Sequence, residues 1–162
     1  MNQVQISSLS QAIDCQAEIN RFLALNGIKD LVGDYGELLS HKALGGDRMN
    51  AVNRGFDIMH QDHGRIEVKT RKWELKKDGS THKEERAVGF TGKEGQFDKL
   101  VHVILDVDFS VRYACMAIYS EVWPEILRTT NKVSFKVSSK LPNSIDITNE
   151  IKEAEKALRN GT

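Results

Sequence analysis

Asp57, Glu67 and Lys69 are the residues of this chain whose types and spacing best fit a reaction centre. Two carboxylates can offer hard oxygen ligands to Mg²⁺, which takes one or two from protein and fills its shell with water and substrate phosphate. An ion so held polarises a phosphodiester and lowers the pKa of a bound water. A neighbouring lysine can orient that water or neutralise charge building on the phosphate. Whether the three side chains meet depends on the backbone that carries them. Strand side chains alternate between faces, so Arg65, Glu67, Lys69 and Arg71 share one face and Ile66 and Val68 the other. Asp62-His63-Gly64 suits a three-residue hairpin loop with a left-handed glycine. That loop pairs Gln61 with Arg65, Met59 with Glu67 and Asp57 with Lys69, which sets Asp57 diagonal to Glu67 on one face. A loop one residue longer would turn Asp57 away. The competing reading is an amphipathic hairpin whose charged face is merely wet.

The elements that must hold these residues are legible in outline. Ser7 or Ser8 caps a first helix running to about Leu25, with the stripe Ala12, Cys15, Ile19 and Phe22. Cys15 on that stripe reads as a core residue. A second helix runs from about Asp30 to Leu44 with Leu31, Tyr35, Leu38 and Leu39 on one face, and Gly33 and Gly36 allow close approach to another element. Strands follow at about 54–61 and 65–73. A polar connector at 74–85 is expected to be mobile, and a third strand lies at 86–91. Residues 95–100 read as a short helix or turn. Strands at 101–107 and 111–119 are joined by Asp108-Phe109-Ser110 as a hairpin. Ser120 starts a short helix reaching Leu127, and 132–137 alternates as an edge strand. A last helix begins at Asp146 or Thr148, with Ile147, Ile151, Ala154 and Leu158 on one side.

Asp57, nine residues, then Glu67-Val68-Lys69 resembles the signature of the PD-(D/E)XK, or restriction-endonuclease-like, nuclease superfamily. Gly33-Asp34-Tyr35-Gly36-Glu37-Leu38-Leu39 is similar to the helix in which the Holliday-junction resolvase and Mrr-type restriction branches carry a further acidic residue, with Glu37 at the matching position. Asp34 stands one turn earlier, but the spacing to Leu38-Leu39 favours Glu37. The resemblance spans about 31–119. Phe56 stands where the signature has proline, and Gln96 stands where some branches place an accessory polar residue. The resemblance implies an α/β fold, α+β in character: a core of order αβββαβ, a mixed central sheet flanked by helices, and an added helix at each end. It implies Mg²⁺-dependent cleavage of DNA, with Mn²⁺ able to substitute. Asp57, Glu67 and the Val68 carbonyl would hold the metal, Lys69 would position the attacking water, and Glu37 would bind or orient a metal or its water. A homodimer is also implied, because cutting two strands needs two sites.

Composition narrows the alternatives. The chain has 162 residues, 40% hydrophobic and 28% charged, with 23 basic and 23 acidic side chains. One domain, 1–162, is expected. Zero net charge disfavours coating of nucleic acid by bulk charge, so any contact must be local. The positive excess is densest from Arg65 to Lys77, which makes Arg71, Lys72, Lys76 and Lys77 the candidates for touching DNA. Trp73 can stack on nucleic acid or close the core. Cys15 and Cys115 lie far apart and form no zinc or redox motif. His60 and His63 flank the turn without a third ligand nearby. Gly92-Lys93 lacks the upstream glycine and the following Ser or Thr of a phosphate-binding loop. No signal-like or membrane-length apolar run occurs, so a cytoplasmic protein without a membrane partner is expected. The alternative function is a catalytically silent module on the same fold that binds nucleic acid or protein. A structural domain with a solvated charged face is a third reading.

Overall fold

The computed structural model describes residues 5–49, 55–82, 86–88, 90, 93–125, 127–129, 132–136 and 143–161. Helix α1 (Leu9–Leu25) starts at Ser8, whose side chain accepts from the Gln11 amide, and α2 (Leu31–Leu44) starts at Asp30, which accepts from the Val32 amide. Each cap supplies an acceptor to amides that a first helical turn leaves without partners. The strands among the described residues are β1 (Asp47–Arg48), β2 (Ile58–His60), β3 (Gly64–Lys72), β4 (Glu74–Leu75), β5 (Thr81–His82) and β6 (Arg86–Val88). Then come β7 (Lys99–Leu105), β8 (Val111–Ile118), β9 (Leu127–Thr129), β10 (Lys132–Lys136) and β11 (Ile145–Asp146). A four-residue helix α3 (Tyr119–Val122) and a 3₁₀ turn (Trp123–Glu125) follow β8, and α4 (Thr148–Arg159) comes last.

The fold is mixed α+β. Six strands form the main sheet in the order β1-β2-β3-β7-β8-β11, with β3 and β7 parallel and the other neighbours antiparallel. One face packs Ile66, Val68, Val101 and Val103 against Leu39 of α2 and Ile151 and Ala154 of α4. The other face buries Leu100, Cys115 and Ala117 beneath Phe90, Phe97 and Val122. Glycine places α2 on β3: a Cβ at Gly36 would collide with the Thr70 side chain. Gly33 has a different neighbour, the Asp30 side chain of its own helix cap. At the far side, the Thr148 hydroxyl exchanges hydrogen bonds with Ala114, and buried Glu155 accepts from the Val111 amide at 3.0 Å, so α4 is tied to β8 by polar contacts as well as packing.

The structure refines several expectations. The order αβββαβ is not reproduced within the main sheet. Both edges of β3 are taken by β2 and β7, so β6 joins a separate three-stranded sheet of order β6-β10-β9. The 132–137 strand is consequently the middle of that small sheet and not an edge. Of the helix or turn expected at 95–100, the turn forms. Residues 94–96 make a turn before β7, Gly95 adopts a left-handed φ of 65°, and glycine there favours a turn over a helix. Cys15, expected in the core, is only partly buried: α1 buries none of its residues, and Phe22 is 61% exposed. Ser120 does not cap α3, which begins one residue earlier with Ile118 at its cap position. The connector is partly ordered as a hairpin, with β4 and β5 paired around the turn Asp78-Gly79.

Candidate active site

The site begins with a register. The β2–β3 pairing joins Ile58 with Ile66, Met59 with Arg65 and His60 with Gly64, two residues away from the expected pairing. A shift of two preserves which face each side chain takes. Asp57 sits just before β2, where its amide donates to the Ile66 carbonyl at 2.9 Å and its Oδ2 accepts from the Val68 amide at 2.7 Å. The carboxylate is thereby pinned to β3 beside Glu67. Gly64 has the expected left-handed φ of 69°, and its lack of a side chain leaves room for Asp98.

Glu37, Asp57, Glu67, Lys69, Arg71 and Lys93 line one cleft of about 230 Å³. Glu67 is wholly inaccessible to solvent, which removes the reading of a merely wet face. Its Oε1 is ion-paired to Lys69 and its Oε2 accepts from Lys93 Nζ at 2.8 Å. These lysines are themselves only 19% and 15% exposed, and Lys69 also lies over the Phe90 ring at 5.6 Å. A buried carboxylate requires such partners, because an unpaired one would be strongly destabilising. Asp57 is placed differently. Burial first, then the negative charge of Glu67, pushes its carboxyl up to about 6, with the Val68 amide opposing and Glu37 adding to the rise.

Glu37 reaches the cleft from α2, where Arg48 Nη2 holds it at 3.0 Å. Asp34 accepts from the amides of Lys29 and Asp30, so it serves the helix start. A second cleft, of about 540 Å³, adjoins the first through Glu37 and Asp57 and is walled by Leu31, Leu38, Met49 and Phe56. The chain matches no protein-family model and no curated protein at a significant level. What the site can do is therefore read from its chemistry.

The donor set suits a hard divalent ion. Asp57 and Glu67 are oxygen ligands side by side, and the acidic crowding felt at Asp57 is what a bound cation relieves. Among the described residues no group of three or more His, Cys, Asp or Glu side chains is gathered closely enough to hold a metal. The histidines do not form an alternative. His60 Nδ1 accepts from the amides of Asp62 and His63, and its Nε2 contacts the Leu44 carbonyl at 3.1 Å.

The DNA-contact candidates separate. Arg71 lines the cleft, Lys72 points to the opposite face over the Phe109 ring at 5.2 Å, and Lys76 and Lys77 are exposed on the β4–β5 hairpin. Trp73 is buried and covered by the Arg112 guanidinium at 3.8 Å, so it closes the core. Gln96 is exposed in the turn before β7 and does not line the cleft. Lys93 and Arg48 are the contributions that motif reading missed. Lys93 lies 26 residues beyond Glu67 in a glycine-rich segment without the pattern of a phosphate loop. No local spacing relates either residue to the carboxylates.

Proposed function

We propose that the protein is a Mg²⁺-dependent endonuclease that hydrolyses phosphodiester bonds in DNA, on a divergent restriction-endonuclease-like core. The observation that carries this reading is the meeting of Asp57, Glu67 and Lys69 in one cleft, with Glu37 brought beside them by α2. The parallel β3–β7 pair and the α2–β3 contact support the core assignment, while the separate β6 departs from it. Asp57 and Glu67 would hold the ion, joined by the Val68 carbonyl as the family resemblance implies. Mg²⁺ bound there supplies a Lewis acid for the phosphodiester and acidifies a water. Lys69, fixed in mid-strand, orients the attacking water and offsets charge on the phosphate. Glu37 aligns the water from the helix side, and Arg48 sets the Glu37 carboxylate. Arg71, Lys76 and Lys77 contact the DNA backbone. Mn²⁺ would substitute for Mg²⁺.

The test is plasmid nicking in Mg²⁺ against EDTA, with metal titration calorimetry on the same proteins. Asp57→Ala and Glu67→Gln should abolish nicking and weaken metal binding, while metal-free DNA affinity holds or rises because negative charge beside the phosphate is lost. Lys69→Ala should reduce nicking and leave a metal site. Metal affinity untouched by both carboxylate changes would dismiss the assignment. One observation favours the silent-module alternative: both Glu67 oxygens are already satisfied by lysines. That reading expects DNA binding without Mg²⁺-dependent nicks.

A further inference from the structure

Lys93 has no place in the signature, yet it meets Glu67 across 26 residues of chain. Its ammonium sits 2.8 Å from Glu67 Oε2, while Lys69 occupies Oε1. With an ammonium group on each oxygen of Glu67, an incoming divalent ion is repelled at contact distance, and that repulsion is strong in a buried cleft. Withdrawal of one lysine relieves that repulsion. Lys69 is held in the interior of a nine-residue strand, between β2 and β7 and over Phe90. Lys93 instead precedes the turn 94–96, outside any helix or strand, and the neighbouring Gly95 has open space where a side chain would be.

The turn that carries Lys93 is nevertheless anchored. Arg65 grips Asp98 through two nitrogens, at 3.0 and 2.9 Å, and donates to the Gly95 carbonyl at 3.0 Å. The Gly95 amide donates to the Tyr119 hydroxyl at 3.0 Å, and the Lys93 amide donates to the carbonyl of buried Phe90. Backbone fixed on both sides and a four-carbon stem leave the ammonium able to swing within the cleft without leaving it.

We propose that Lys93 is an exchangeable counter-ion: it neutralises Glu67 while the site is without metal, is displaced from Oε2 by the incoming divalent cation, and then grips a non-bridging oxygen of the scissile phosphate. This inference rests on the metal-site reading above. The exchange replaces one singly charged ammonium at Glu67 with a doubly charged ion, and the anionic phosphate that takes up the released ammonium offsets the added positive charge, so metal occupancy is coupled to phosphate capture. Lys93 would be a catalytic residue in the substrate complex and a stabilising partner of Glu67 before it.

The experiment titrates Mn²⁺ alone into wild type, Lys93→Met and Lys93→Arg at pH 8 by calorimetry, then measures plasmid nicking at saturating Mn²⁺. Lys93→Met removes the competing cation, so Mn²⁺ should bind at least about threefold tighter while nicking falls by about tenfold or more. Lys93→Arg should do the reverse for the metal, binding it about threefold weaker because a guanidinium holds a carboxylate by two bonds, and should nick faster than Lys93→Met. The arginine variant keeps the buried ion pair, so it reports even where Lys93→Met fails to fold. Unchanged or weaker Mn²⁺ binding by a folded Lys93→Met, or unchanged binding by Lys93→Arg, would overturn the exchange and leave the nuclease reading standing. Wild type that binds no Mn²⁺ would remove both.

Discussion

At the scale of single residues, the two carboxylates of the cleft differ in what balances them. Glu67 carries two ammonium partners, whereas Asp57 has one backbone amide and two acidic neighbours. Burial and the Glu67 charge raise Asp57 from an ordinary 3.8 to about 6. Between those values the folded chain keeps a proton that the unfolded chain has released, so stability is favoured on the acid side and falls as pH rises through the window. Asp57→Asn carries no such charge. In EDTA its stability relative to wild type should therefore climb by about 2 kcal/mol between pH 4 and pH 8. Urea unfolding of both proteins across that range reads it directly, and a gap independent of pH would show that Asp57 is not held high. Glu67→Ala is the less informative substitution, since stranding Lys69 and Lys93 in a dry cleft costs about 3–5 kcal/mol on its own. At this scale the sequence was half readable. Asp57, Glu67, Lys69 and Glu37 are recognisable from type and spacing, but Lys93 and Arg48 arrive through tertiary contacts that no periodicity encodes.

Elements explain why Asp57 and Glu67 share a face although the pairing differs from the one expected. Alternation in β3 assigns faces, and a two-residue slip of the hairpin keeps them, so the cluster forms by parity where the pairing itself was misjudged. Helix starts were legible because Ser8 and Asp30 cap by local chemistry. Partner strands were not, because β6 is excluded from the main sheet by neighbours distant in sequence. The α2–β3 contact makes a clear expectation. Gly36→Ala forces α2 away from Thr70 and should destabilise the fold by about 1–3 kcal/mol while lowering nicking through a displaced Glu37. Gly33→Ala meets only the Asp30 side chain and should be milder in both assays. The exposed β4–β5 hairpin makes another. Trypsin should cut the free protein after Lys76 or Lys77, and saturating DNA should protect those bonds. Cutting at an unchanged rate with DNA bound would remove the hairpin from the proposed interface.

For the whole molecule, the main sheet separates two cores, one beneath α2 and α4 and one beneath Phe90 and Phe97, and Glu67 and Lys69 stand on the second side. Helix α1 belongs to neither: Leu9, Ile13, Phe22 and Leu25 are all exposed. An amphipathic stripe shows that a helix forms, but the surface that receives it is not written in the stripe, which is why Cys15 reads as core from the sequence and is only partly buried in the fold. Phe22→Ser should leave the unfolding free energy within about 0.5 kcal/mol of wild type, whereas Leu100→Ala, inside the second core, should cost about 2–5 kcal/mol. Among the described residues no helix is long and apolar enough to cross a membrane.

The parallel pairing of β3 with β7 also bears on how the chain folds in time. Glu67 lies beside Leu100, so the central pair closes only after the whole crossover has been made. Closing such a loop costs chain entropy before any contact repays it, which slows folding. Asp57 and Glu67 leave the ribosome before Lys93 and β7, and until those arrive the buried carboxylate has one of its two counter-ions. The cleft is thus a late product of folding, and a half-made chain carries the signature without the site. Stopped-flow refolding should show it: Leu100→Ala slows the folding limb, and Phe22→Ser leaves that limb where it was.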